Sequence, residues 1–312
     1  MKNFRTMKDF NCQEGRIFNI AGSRSGSILL RHRHILLIIS LLVFMPAFLA
    51  VSCAKEESKD DEANDGKKET AEVTVRLDSG GNSLRRSDIF VYEDEVLEQH
   101  LRTESGEKEL KIVCGKGEKH IFVVANCPHD FNIRALSSLS SMYKLTMAFN
   151  DDDESFPVMG AEATCSTEDS LEVVAELTPL MCRIMLSEIS SNLEDYELVE
   201  SPRIRLRGIN AGAALFRSGP YIPEELIEFG EWKSLPYDIG MLTQYPMISL
   251  PCYPNGSNES EYSPERTVLE LECRIMGETC SFLYPLPPFG RNSSTKVRLS
   301  IDGPEDFSGS ID

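Results

Sequence analysis

The sequence predicts a mainly β protein made of two tandem β-sandwich domains, with a short helical insertion in the first. Three observations carry this. Short segments alternate apolar and polar residues with the period of a strand. Clusters rich in Gly, Pro and Asn separate them at regular intervals. Pro179 breaks one ladder and another strand begins at once, as expected where a chain leaves one module for the next.

The N-terminal part is read apart from the sandwiches. Ile35–Val51 is an uncharged run of 17 residues, about 25 Å as a helix and short of a comfortable bilayer span. Arg31, His32, Arg33 and His34 precede it, and Ala50, Val51 and Ser52 lead into Cys53. A positive flank, an apolar run and small residues before a cysteine make a lipoprotein export signal. Residues 1–52 are therefore expected to be a signal peptide, and Cys53 the lipid-bearing first residue of the mature chain. Acyl chains contribute about 0.8 kcal/mol per buried methylene, so such an anchor would be permanent. An uncleaved membrane anchor is the alternative. Residues 1–30 are polar and lack an apolar periodicity, so the expectation is a mis-assigned extension, with the true start near Leu29 or Leu30. Residues 53–70, opening Cys53-Ala54-Lys55-Glu56-Glu57, are expected to form a disordered acidic tether.

The first sandwich is assigned to 71–179. Ala71–Leu77 alternates and ends at the turn cluster Asp78-Ser79-Gly80-Gly81-Asn82. Asp88–Tyr92 is short and apolar, and Glu109–Cys114 alternates. Ile121–Asn126 is apolar on both faces, which places it in the middle of the assembly. Leu136, Leu139, Tyr143 and Met147 fall at helical spacing, predicting one or two short helices over 132–149. The acidic run Asn150–Glu154 lacks the ligand spacing of a calcium loop and reads as solvated. Ser170–Leu177 is the last strand before Pro179.

The second sandwich is assigned to 180–312. Cys182–Leu186 is a strand. Pro202–Gly208 alternates with Arg203, Arg205 and Arg207 on one face, and 217–247 reads as a long loop with a little helix. Ile248–Gly256 ends in a turn. Thr267–Cys273 and Cys280–Tyr284 flank Met276-Gly277, predicting a hairpin that pairs 275 with 278, 273 with 280, 271 with 282 and 269 with 284. Leu269, Leu271, Phe282 and Tyr284 then share a face. Cys273 and Cys280 come within reach of a disulfide, at a hydrogen-bonded pair that strains one, so two packed thiols are the favoured state. Lys296–Ile301 is the last expected strand.

From Cys53 on, 25 basic and 48 acidic residues give a formal charge of −23. That surface repels phosphate backbones, so nucleic acid is excluded as a partner. Seven cysteines besides Cys53 make an odd set, with no CxxC and no zinc spacing, so no metal site or cofactor is expected. GxSxG, HExxH and phosphate-loop motifs are absent, and His100, His120 and His129 read as loop or strand residues rather than bases. The chain is not read as an enzyme. Trp232, with Tyr221 and Tyr237, is a weak candidate for a sugar-binding platform.

Several stretches together carry a resemblance: the signal at Cys53, IFVVAN, FPVMGAE at 156–162, LEVVAELTPLMCRIML, CYPN at 252–255, and RNSSTKVRLSID. In this order the chain resembles the Bacteroidetes fimbrillins, the FimA/Mfa-type fimbrial subunits. The resemblance implies transthyretin-like sandwiches, export as a lipoprotein to the outer-membrane surface, proteolytic removal of the first strand, and strand exchange with other fimbrial subunits. Against that mechanism, Arg85 and Arg86 in the Gly-rich loop are the expected cut sites, with Arg76 next. The short acidic tail favours a tip, accessory or anchor subunit, with a surface receptor as a further partner. The alternative is a non-polymerising surface lipoprotein that binds glycan or protein.

Overall fold

A computed structural model describes residues 69–168, 171–193, 199–217, 219–240, 242–257 and 266–312. The signal peptide, Cys53 and nearly all of the tether lie outside the described residues.

The first half comprises β1 (Thr70–Asp78), β2 (Ser87–Glu93), β3 (Val96–Thr103), β4 (Glu109–Gly115), β5 (Glu118–Ala125), α1 (Leu139–Met142), β6 (Thr146–Ala148), β7 (Met159–Ser166), β8 (Glu172–Glu176) and β9 (Thr178–Pro179). Sheet I has the order β4-β1-β8 and sheet II the order β3-β2-β5-β7-β9. The two enclose a core of Val73, Val75, Leu77, Leu110, Ile112 and Val173 against Ile89, Val91, Ile121, Val123 and Met159. The opposite face of sheet II is also covered. Phe90, Tyr92, Phe122 and Val124 pack there with Leu136, Met142, Met147, Leu215, Phe216 and Tyr253. Strand β5 is therefore central and buried on both sides, which is why its sequence is apolar at every position from Ile121 to Ala125.

The second half contributes β10 (Cys182–Ser191), β11 (Glu200–Asn210), β12 (Gly212–Ala214), β13 (Leu226–Phe229), β14 (Lys233–Ser234), β15 (Leu242–Cys252), β16 (Val268–Ile275), β17 (Glu278–Pro285), β18 (Ser294–Ile301) and β19 (Phe307–Ile311). Sheet III runs β15-β10-β18-β19, and sheet IV runs β13-β11-β16-β17 with β14 also on β11. Their core includes Ile184, Leu186, Ile204, Leu206, Leu269, Leu271, Val297 and Leu299. Strand β10 lies between an antiparallel and a parallel neighbour, as β1 does, so the two sandwiches share a local plan.

The predicted hairpin forms in the predicted register, including Cys273 opposite Cys280. Met276 and Gly277 both take positive φ, 53° and 83°, as the tight turn of a two-residue hairpin requires. Arg291, between β17 and β18, fastens the halves together. Its Nη1 donates to the Leu215 carbonyl at 2.7 Å, and its Nη2 to the carbonyls of Gly160, at 3.1 Å, and Thr178.

Three expectations are corrected. Helix over 132–149 reduces to α1, capped by Ser138, plus a 3-10 turn at Phe149–Asp151. Of the four residues at helical spacing, Leu136 and Met147 are buried against sheet II on either side of α1, Leu139 is partly buried and Tyr143 is exposed, so the spacing does not mark one continuous helical face. The 217–247 segment is not a long loop: it holds β13, β14 and the start of β15. Pro246 and Pro251 are tolerated because β15 is an edge strand. Strands β3, β7 and β19 also form outside the expected set.

Candidate functional site

Strand β1 is the centre of sheet I. It pairs antiparallel with β4 from Thr70↔Gly115 to Arg76↔Glu109, and parallel with β8 from Thr74↔Glu172 to Asp78↔Glu176. The alternation fixes what each face does. Val73, Val75 and Leu77 point inward and are at most 4 % exposed. On the outer face, Glu72 pairs with Lys111 at 2.8 Å and Arg76 with Glu172 at 2.7 Å. Burying three such side chains contributes roughly 6 kcal/mol. Taking β1 away would separate β4 from β8 and leave two unpaired edges beside an apolar slot.

The link from β1 to β2 is short and partly pinned. Gly80 and Gly81 turn the chain with φ of 57° and 91°. Asn126 holds the far end: its Nδ2 donates to the Ser83 carbonyl at 2.9 Å, and its Oδ1 accepts the Arg85 N–H at 2.9 Å. The Arg85 side chain is 60 % exposed. It lies over the Phe156 ring at 3.1 Å and near Asp153 at 3.7 Å.

Arg86 differs from the solvated partner its sequence position implies. It is buried, with Nε donating to Asp88 at 2.8 Å and Nη1 facing Asp130 at 3.2 Å. Asp88, itself fully buried, also accepts Arg102 at 2.9 Å and contacts His100 at 2.8 Å. The β2–β3 register assembles this group by setting Asp88 opposite Arg102. Arg76 is no loop residue: it sits inside β1, with ladder partners on both sides. Of the three arginines, Arg85 alone combines an exposed side chain with a position outside the ladders.

Cys273 and Cys280 face each other as free thiols, and Cys182 and Cys252 form a second facing pair, also free. Burial pushes the Cys273 thiol up to about 12, so little reactive thiolate forms.

The three aromatics named as a sugar platform do not converge. Tyr221 is buried in the cluster covering sheet II. Tyr237 is 60 % exposed and lines a shallow depression with Ser201, Pro202 and Asp238. Trp232 lies against Arg203 and Arg205 of β11.

Asp152, in the acidic run, accepts the Val158 N–H at 2.8 Å and the Tyr253 O–H at 3.0 Å. Burial outweighs these bonds and lifts its carboxyl from 3.8 to about 6. The folded form thus binds the proton more tightly than the unfolded chain. The linked stability is fully present below about pH 4, falls as pH rises toward about pH 6, and is level above that. Asp152→Asn is expected to gain about 1 kcal/mol at neutral pH, after allowance for partial exposure, and nothing at about pH 4. Thermal melts of both proteins at the two pH values check this; equal differences at both would refute it.

The architecture defines a class: two-sandwich β proteins in which the first strand lies central in its sheet. No protein-family model matches the chain, and no curated protein does. Solved structures do match. A candidate cell adhesion protein from Bacteroides eggerthii DSM 20697 aligns with a TM-score of 0.60 at 12 % identity, covering 78 % of this chain and 95 % of its own. A fimbrilin (fimA) from Porphyromonas gingivalis W83 aligns with a TM-score of 0.54 at 15 % identity, covering 75 % and 90 %. The tip fimbrial protein Mfa3 from Porphyromonas gingivalis aligns with a TM-score of 0.50 at 12 % identity, covering 78 % and 98 %. At such identities the likeness establishes the fold.

Proposed function

We propose that this chain is a structural and adhesive subunit of a surface fimbria, exported as a lipoprotein through Cys53 and assembled by strand exchange. The central position of β1 carries this reading. A strand that fills the core, yet is joined to the rest through a loop with an exposed arginine, can be cut free and replaced. Cleavage after Arg85 would release β1, and a strand from another subunit would fill the slot by β-augmentation. The partners are other fimbrial subunits, the outer membrane through the lipid, and a surface receptor. The similarity in fold to fimbrial and candidate adhesion proteins supports this role and a cell-surface location.

Limited digestion of the purified chain from Ala54 on with an Arg-specific protease tests it. Mass spectrometry is expected to find a dominant cut after Arg85, lost in Arg85→Ala. Unboiled gels are expected to show oligomers that collapse on boiling. Resistance of the loop, with a stable monomer, would refute the assembly mechanism. A cut without oligomers would assign the chain to a position that needs a partner's strand.

A further inference from the structure

The outer face of sheet IV carries a feature that strand exchange does not use. Arg203, Arg205 and Arg207 project from β11 on the side opposite the buried Ile204 and Leu206. Alternate residues along a strand stand about 6.8 Å apart, so the three form an evenly spaced row. Two aromatic rings hold the row. Arg203 and Arg205 lie over Trp232 at 4.5 and 4.2 Å, and Arg205 and Arg207 over Phe229 at 4.4 and 4.8 Å. Such stacking orders guanidinium groups before any ligand arrives, which lowers the entropy lost on binding.

The row is not neutralised. On β16, Glu272 meets Arg203 at 2.6 Å and Glu270 meets Arg205 at 2.6 Å. Arg207 reaches Glu270 only at 3.8 Å, outside hydrogen-bond range, with its side chain 34 % exposed. Three guanidinium groups thus share two carboxylates on a chain whose formal charge is −18. A merely solvated strand face on so acidic a protein has no need of stacked arginines. Arg also differs from Lys in offering planar, two-pronged donors that match carboxylate and sulfate.

We propose that this face binds an acidic polysaccharide, with Arg207, at the end of the row held by the stacked Arg205, taking its carboxylate or sulfate groups. A polymer of sugars fits better than a protein partner. The face is an open sheet, and one strand beyond β16 the edge strand β17 carries exposed polar side chains: Thr279, and Ser281, whose hydroxyl donates to Glu270 at 3.1 Å. The exposed apolar side chains, Phe229 and Leu283, sit apart on the two edge strands rather than as the central apolar anchor that protein interfaces favour. The site stands whether or not β1 is exchanged, because β11, β13 and β16 belong to the second sandwich. Its failure would leave the assembly reading intact.

The test uses the whole chain from Ala54 on, with immobilised heparin as the sulfated probe, polygalacturonate as the carboxylate-only probe and dextran as the neutral control. Binding is read by surface plasmon resonance. Wild type is expected to bind at least one acidic polymer and not dextran, and the preferred polymer names the recognised group. Arg207→Gln is expected to weaken binding about tenfold, the effect of one charge-assisted hydrogen bond. Phe229→Ala, which unlocks Arg205 and Arg207, is expected to weaken it about threefold. Circular dichroism confirms that each variant is folded. The proposal is overturned if wild type binds neither acidic polymer, or if either folded variant keeps wild-type affinity. It is equally overturned if Arg207→Gln abolishes self-association of a chain that binds no polysaccharide.

Discussion

Val75→Asp is expected to unfold the first sandwich of the uncut chain and to make it accept a β1 strand from outside. Val75 is fully buried at the centre of β1, with Leu110 opposite on β4 and Val173 beside it on β8. Among the described residues the buried cations of this sandwich, Arg86 and Lys119, are already paired with Asp88 and Glu98, so a carboxylate there gains no unpaired counter-charge. Its burial costs on the order of 4 kcal/mol, a large share of the roughly 5–15 kcal/mol that holds a domain together. The cheapest escape is for β1 to leave sheet I. The rest of the sandwich would then carry an empty slot. A synthetic peptide of residues 69–82 with the wild-type sequence should bind this variant and restore its thermal transition. It should not bind uncut wild type, whose own strand fills the slot. Thr74→Asp, on the outer face of the same strand, is the control and should change stability by less than about 1 kcal/mol. If Val75→Asp unfolds the whole protein and the peptide restores nothing, β1 is a structural strand and not an exchangeable one. The experiment separates strand replacement from proteolysis, because no cut is required.

Such a test depends on how far the sandwich could be read beforehand. The strands with a full apolar face were legible. Ala71–Leu77 alternates because sheet I has one face in the core and one in water, and Ile121–Ala125 is continuously apolar because sheet II is covered on both faces. The hairpin at Met276-Gly277 was legible to the residue, since a two-residue turn leaves a single register. Strand β3 was not. Its row of Glu98, His100 and Arg102 is polar, and it is a strand because Asp88 and Lys119 need partners: Glu98 meets the buried Lys119 amine at 2.8 Å. Pairing of that kind is decided by neighbours far along the chain and leaves no local periodicity. The candidate site divides the same way. The Gly-rich link after β1 is written in Gly80 and Gly81, whereas the burial of Arg86 depends on β2 lying beside β3. Trp232 was singled out for its ring. What it touches, Arg203 and Arg205, followed only once β11 and the 229–233 turn were brought together.

Asp88→Ala should release Arg86 and add a second cut to the loop. In the native chain Asp88 is the shared acceptor of Arg86 and Arg102 and the contact of His100. Asp130 lies nearby but its side chain is 79 % exposed, so it cannot replace a buried carboxylate. Removing Asp88 leaves two guanidinium groups in a site built to neutralise them, and such uncompensated charge costs about 3–5 kcal/mol. Arg86 and Arg102 can regain water only by swinging outward, which loosens the start of β2 where the link from β1 arrives. Arg-specific digestion of the folded variant is then expected to yield products ending at Arg85 and at Arg86, where wild type yields only the first. A lower melting temperature alone would not establish the point, since any core lesion produces one. The double variant Arg86→Met with Asp88→Leu removes both members of the closest pair. It should recover part of the lost stability while returning the digest to the single Arg85 product. If the Asp88→Ala digest matches wild type, the buried carboxylate holds the sandwich together without governing which arginine a protease can reach.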